Sequence, residues 1–194
     1  MHTNGQPKKR NDTMKRLIGI WLIVFAALTP AVPAISAENI KLAGFFGTFK
    51  GNGVSENRDS LYFGVTVRDL DVKIEPAGKG FSIEWTTVIR RGGDPKNPKV
   101  RSKTQRMTFQ PAGKDKVYKA TESGDPLSGQ PYAWAYIKET ALIIHIMSID
   151  DNGAYQMQSY TRKLVPTGME FKFERIRNDE PVRTVKGKLI KFAK

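Results

Sequence analysis

The residues able to do chemistry in this chain are few, and their types narrow the possibilities quickly. There is no cysteine among its 194 residues, which excludes thiolate nucleophiles, thiolate metal sites, iron–sulfur clusters, disulfide scaffolds and a lipid anchor built on cysteine. Neither Gly-x-Ser-x-Gly nor Ser-x-x-Lys occurs, so the common serine-hydrolase arrangements are missing. The histidines are His2 and His145, and a lone histidine within the domain offers neither a second metal ligand nor an acid–base partner. It lies in Ala141-Leu142-Ile143-Ile144-His145-Ile146-Met147, greasy on both faces, where it serves either as a polar contact inside a cavity or as a hydrogen-bonded core residue. Asp150 and Asp151 adjoin Asn152-Gly153; a calcium loop needs further oxygen ligands and a late glutamate, so turn chemistry accounts for them better. No catalytic residue, metal or cofactor is assigned, and the chain reads as non-enzymatic.

The more telling chemistry is cationic. From Arg90 to Arg106 there are seven basic residues, Arg90, Arg91, Lys96, Lys99, Arg101, Lys103 and Arg106, against the single acid Asp94. Lys99, Arg101 and Lys103 alternate on one face that continues as Met107 and Phe109, the pattern of a strand that leaves a charged rim and enters an apolar interior. Such a rim would hold a carboxylate or phosphate, for which forked arginine contacts are suited; the plainer reading is a solvated face that resists edge pairing. Tyr132, Trp134 and Tyr136 alternate with Ala133, Ala135 and Ile137. Either the small residues face inward and leave a cavity, or the rings do and fill it. The candidate ligand contacts are therefore Trp85, Trp134, Tyr136, His145, Arg101, Lys103 and Arg106.

These side chains must be carried by strands. A period of two dominates from residue 44 onward: Phe81, Ile83 and Trp85 oppose Ser82, Glu84 and Thr86, and Met169, Phe171 and Phe173 oppose Glu170, Lys172 and Glu174, each a half-buried strand. Leu61, Phe63, Val65 and Val67 keep odd register while Leu70, Val72 and Ile74 keep even, which predicts a β-bulge near Arg68 to Leu70. Turn chemistry at 76–80, 138–140, 150–153, 165–168 and 178–181 separates strands expected at 44–55, 60–75, 80–90, 99–110, 116–121, 132–138, 141–149, 154–164, 169–177 and 182–192. About ten consecutive strands make an all-β antiparallel up-and-down meander that closes into a barrel, with a β-sandwich as the alternative.

The first strand opens Phe46-Gly47-Thr48-Phe49-Lys50-Gly51. This resembles the start of calycin-type barrels, the lipocalins and fatty-acid-binding proteins, which begin Gly-x-Trp. Phe49 stands at the tryptophan position, and the resemblance implies a structural clasp of Gly47 and Phe49 with a cation from the last strand, for which Arg183 is the candidate. It also implies a barrel able to hold an apolar ligand.

The N-terminus reads as an export signal. Lys8, Lys9, Arg10, Lys15 and Arg16 precede the apolar run Leu17 to Leu28, then Pro30, Pro33 and Ala34-Ile35-Ser36-Ala37, the pattern of a cleavable secretory signal over 1–37 with cleavage after Ala37 or, alternatively, Ala34. Met14 followed by Lys15-Arg16 would itself begin such a signal, which makes 1–13 a candidate upstream-start artefact. The arrangement resembles that of secreted bacterial proteins. Beyond residue 37 lie 27 of the 32 basic and 18 of the 19 acidic residues, a net +9, so the basic character belongs to the single domain, 38–194.

The expectation is a periplasmic or secreted, non-enzymatic barrel binding an apolar or amphipathic anion such as a fatty acid or phospholipid. The alternative is an envelope module with a filled barrel that docks on acidic surfaces, a membrane face or a protein. Export makes nucleic acid an improbable partner.

Overall fold

The computed structural model describes residues 40–58, 66–90 and 99–192; the expected signal 1–37, residues 59–65 and the basic residues Arg91 and Lys96 lie outside them. Ten strands run in chain order, β1 Gly47–Asn57, β2 Thr66–Ala77, β3 Gly80–Arg90, β4 Val100–Pro111, β5 Val117–Ala120, β6 Tyr132–Lys138, β7 Ala141–Ile149, β8 Tyr155–Val165, β9 Gly168–Arg177 and β10 Glu180–Phe192. Each pairs antiparallel with the next and β10 returns to β1, closing the barrel. The fold is therefore the up-and-down barrel of the sequence reading, and the sandwich is excluded.

Closure depends on glycine. Thr48 to Asn57 pair without a break with Phe192 to Arg183, and the inner faces of both seam strands carry glycines. A Cβ on Gly51 would lie 2.0 Å from the Lys188 carbonyl oxygen, and one on Gly187 would lie 2.5 Å from that of Asn52. Only a residue without a side chain lets the backbones approach this closely. Elsewhere the turns supply the positive φ that tight hairpins require: Asn178 at 46° and Asp179 at 67° form the two-residue β9–β10 connection, shorter than the expected 178–181. Pro181, which cannot donate to a ladder, sits instead at a register shift between Pro181 and Arg183.

No such shift occurs where the bulge was expected. β2 pairs continuously with β1 from Thr66 to Ile74 and with β3 from Arg68 to Ala77, so Arg68, Leu70, Val72 and Ile74 all face inward and Val67, 42% exposed, faces out. Among the described residues an arginine, not an apolar residue, occupies the inner position before Leu70, while Leu61, Phe63 and Val65 of the odd-register run lie outside them.

The barrel's two ends differ. At the end where β1 begins, the lumen is packed solid: Phe45, carried on the 3-10 turn Leu42–Phe45, is fully buried with Phe49, Phe81 and Phe109. Phe81 stacks on Phe109 at 4.9 Å and meets Tyr118 edge-on at 5.4 Å, both favourable ring geometries. Ala133 and Ala135 face inward here, with Ala135 beside Tyr118, so the small residues of β6 make room for rings arriving from β3, β4 and β5. The outer wall is divided too. Ion pairs cover β1 to β4 and β9, Lys50–Asp71 at 3.6 Å, Lys73–Glu75 at 2.8 Å, Arg106–Glu84 at 2.7 Å and Lys172–Glu174 at 2.9 Å, whereas strands β5 to β8 contain no Asp or Glu.

Candidate functional site

The inner faces change character toward the other end. On β4, Phe109 and Met107 give way to Gln105, Lys103 and Arg101; on β2, Ile74, Val72 and Leu70 give way to Arg68; on β10, Leu189 and Val185 give way to Arg183. The result is a cavity of about 380 Å³ lined by six cationic side chains, Arg68, Arg101, Lys103, Arg162, Arg175 and Arg183. Among the described residues of the lining the one carboxylate is Asp71, which alternates with inward Leu70 and Val72 and turns outward to Lys50. This volume falls within the usual range for small-molecule sites, roughly 300–1,000 Å³.

The floor is aromatic. Trp85 on β3 and Tyr160 on β8 belong to strands that do not pair, yet their ring centroids are 5.1 Å apart, so the contact crosses the lumen. Tyr160 also meets Phe173 at 4.8 Å and donates from its hydroxyl to Gln158 Oε1 at 2.9 Å. Burial pushes the Tyr160 phenol up to about 12, with Arg162 opposing the shift.

Set into that floor is Arg162, 1% exposed. Its guanidinium carbon lies 5.5 Å from the centre of the Trp85 ring, 5.4 Å from Tyr160 and 5.5 Å from Phe171, within cation–π reach of all three. Its Nε and Nη1 have no hydrogen-bond partner, and no carboxylate pairs with it among the described residues. Burial alone pulls its pKa down to about 10, partly offset by Tyr160; the group is still a cation at neutral pH. An unpaired, fully buried cation is costly, by several kcal/mol after relaxation, and charges are seldom found inside without a partner. Above it, Arg68 holds a buried Nε that is likewise unpartnered; burial, then the nearby charge of Arg183, lower its pKa. Arg183 donates from Nε to Asn57 Oδ1 at 3.1 Å, and Arg101 and Lys103 stand exposed at the mouth.

Three of the sequence candidates thus meet in the cavity: Trp85, Arg101 and Lys103. Four lie on the outer wall. Arg106 pairs with Glu84 through Nε at 3.0 Å and Nη2 at 2.7 Å. Trp134, Tyr136 and His145 form an outer ring cluster, with Trp134–His145 at 4.9 Å and Tyr136–His145 at 5.7 Å, and His145 Nδ1 shares a 2.8 Å hydrogen bond with Ser159 Oγ. Burial beneath these rings lowers the His145 pKa. The clasp is also rearranged. Phe49 is fully buried, but the cation over it is Lys191, 5.6 Å from the ring centre, because Arg183 sits near the opposite end of β10, within the cavity. Gly47 keeps a place in the clasp, since a Cβ there would lie 2.9 Å from Lys191 Cε.

The residues that sequence reasoning missed are Arg68, Tyr160, Arg162 and Arg175. A signal for two of them existed: Leu142 and Ile144 are inward on β7 and pair with Arg162 and Tyr160, so the cross-strand register fixes their direction. As a set, the lining offers guanidinium, ammonium, amide, hydroxyl and ring groups, which can neutralise, orient and stack on an anion. Among the described residues no three His, Asp or Glu side chains converge as a metal site. The fold and site together define a closed up-and-down β-barrel with a cation-lined cup at one end. Neither protein-family models nor curated proteins show a match to this chain.

Proposed function

We propose that this protein is a calycin-type binding protein that takes a small anionic molecule with an apolar body, of the fatty-acid or phospholipid class, into the cup, and that it acts in the periplasm or outside the cell after removal of residues 1–37. The observation that carries the reading is Arg162, a buried guanidinium facing an aromatic-walled cavity with two nitrogens unsatisfied. An anionic head group placed there would complete its hydrogen bonds, and charge-assisted bonds of this kind are among the stronger ones in proteins. Leu70, Val72, Phe173 and Val185 provide apolar wall for the body. The cations at the mouth would draw the ligand in by long-range attraction.

Trp85 provides the readout, because it lies in the floor while Trp134 lies outside. In a Trp134→Phe variant, titration with decanoate or a short-chain phosphatidic acid should change Trp85 fluorescence, and solvent extracts of the purified protein should contain an anionic amphiphile. Failure of every anionic amphiphile to perturb Trp85, together with an empty extract, would overturn the reading.

A second reading is favoured by the outer wall of β5 to β8, where Tyr132, Trp134, Tyr136, Ile143 and Met147 lie in strands free of carboxylates and flanked by Lys119, Lys138 and Lys163. Tyr and Trp with marginal lysines suit the interface of an anionic membrane. Co-sedimentation with phosphatidylglycerol vesicles but not phosphatidylcholine vesicles, lost on Trp134→Ala with Lys138→Glu, is the expected result; equal recovery with both lipids would remove it.

A further inference from the structure

Among the described residues, the lining of the cup carries more positive charge than one singly charged head group can balance. Arg162 on β8 and Arg68 on β2 are joined by a row of paired residues running through Phe171, Gly187 and Gly53, four strand steps around a barrel of ten. They therefore enter the lumen from nearly opposite walls. Each leaves buried guanidinium nitrogen unsatisfied, Nε and Nη1 of Arg162 and Nε of Arg68. Arg183, in the same lining, stands on β10 midway between them, two strand steps from each, with its charge acting on Arg68. A monocarboxylate on Arg162 would leave Arg68 as it is.

We propose that the natural ligand carries two negative charges, one met by Arg162 in the floor and one by Arg68 on the facing wall, with Arg183 between them. This rests on the reading of the cup as an anion site and specifies its ligand class: a phosphate monoester, or a molecule with two separate acidic groups, on an apolar body. The mutual repulsion of Arg68 and Arg183, which contributes to the lowered pKa of Arg68, is the kind of unfavourable juxtaposition that a second anionic charge relieves. The exposed Arg101 and Lys103 also favour the dianion, but weakly, because solvent and salt screen their charge.

The experiment compares probes of matched length on the full-length protein, following Trp85 in a background with both other tryptophans replaced, Trp21→Phe and Trp134→Phe. Octyl phosphate carries close to two charges at pH 8 and about one at pH 5, since its second ionisation lies near 6; octyl sulfate carries one throughout. Octyl phosphate should bind more tightly at pH 8 by roughly ten- to a hundredfold, the worth of one additional charge-assisted contact. That advantage should shrink toward pH 5, with octyl sulfate reporting any titration of the protein itself. Arg68→Gln should erase the advantage while sparing octyl sulfate, and Arg68→Lys should keep most of it; circular dichroism checks that both remain folded. Decanedioate against decanoate tests the two-group form: if only this pair shows the preference, the charges lie on separate groups and the proposal holds in that form. Equal affinity within both pairs would overturn it while leaving an anion site in place. Binding of none of the four would overturn the anion site, and this proposal with it.

Discussion

Replacing Arg162 by methionine should make the ligand-free protein more stable and the binding site useless. Burial pulls the guanidinium well below its ordinary value, down to about 10, and at about 1.4 kcal/mol for each factor of ten in proton affinity this amounts to ~3 kcal/mol of unfavourable free energy. Three rings surround the group at 5.4 to 5.5 Å, but a planar cation has two faces, so cation–π attraction returns only about 1–2 kcal/mol. Methionine removes the charge, roughly fills the space, and regains part of the ring contact through its thioether. The net gain is ~1–3 kcal/mol, in line with replacement of other buried ionic groups by apolar ones. For a domain of this size, 2 kcal/mol corresponds to a rise of about 4–8 °C in Tm. The assay is thermal unfolding of delipidated wild type and variant, each with and without octyl phosphate. At a hundredfold excess over Kd the ligand should stabilise the wild type by ~2.7 kcal/mol and the variant not at all. A ligand-free variant that keeps its near-ultraviolet spectrum yet melts below the wild type would refute the reasoning, since Arg162 would then be a structural asset and no longer a waiting contact.

Five further outcomes are expected. The advantage of Arg162→Met should be complete below pH 10 and shrink above it: the native guanidinium releases its proton near 10 while the unfolded one keeps it to a higher pH, so the unfolded chain binds more protons in that window and wild-type stability rises there. Tyr160 acts oppositely, its contribution full below pH 10 and lost on the way to about 12, so the variant's own stability should fall across that range in alkaline denaturant titrations. His145, with its pKa lowered by burial, should show an NMR titration midpoint below 6.5; the stability it lends is present above pH 6.5 and lost as pH falls. His145→Ala should leave anion affinity within about twofold, because the side chain lies outside the barrel. Gly51→Ala should destabilise by at least ~1–3 kcal/mol in urea unfolding, as its methyl group would meet the Lys188 carbonyl at 2.0 Å with no rotamer to escape into.

How far the sequence disclosed all this depended on which face of each strand was marked. On β4 the inner row from Arg101 to Phe109 spelled out the passage from rim to interior, and the structure places those residues in that order. On β6 the period of two separated rings from alanines but carried no sign of direction; that was decided by Phe81 and Tyr118 crowding the lumen beside Ala135. On β2 the expectation that inward means apolar turned Arg68 into a sign of a bulge, although its pairing is regular. On β8 the inward row is Gln158, Tyr160 and Arg162, no greasier than the outward Met157 and Thr161, so only the pairing with Leu142 and Ile144 reveals it. The errors share one physical cause: hydrophobic patterning finds a core, and this barrel uses half of its interior for something else.

That division explains how such a site can exist in a domain with no disulfide. Strands β2, β4 and β10 each present apolar inner residues toward the packed end and cationic ones toward the cup, so the cup residues of these strands are anchored by their own other half. Burying Phe45, Phe49, Phe81 and Phe109, at about 1.5–3 kcal/mol each, outweighs the ~3 kcal/mol that Arg162 costs, and the hydrogen-bonded ladders transmit that stability along each strand. A cup built at the ends of loops would collapse around an unpaired guanidinium or let it swing into water. Held instead between β7 and β9 and walled by Trp85, Tyr160 and Phe171, Arg162 can do neither, and keeps its place in the lining of the cup.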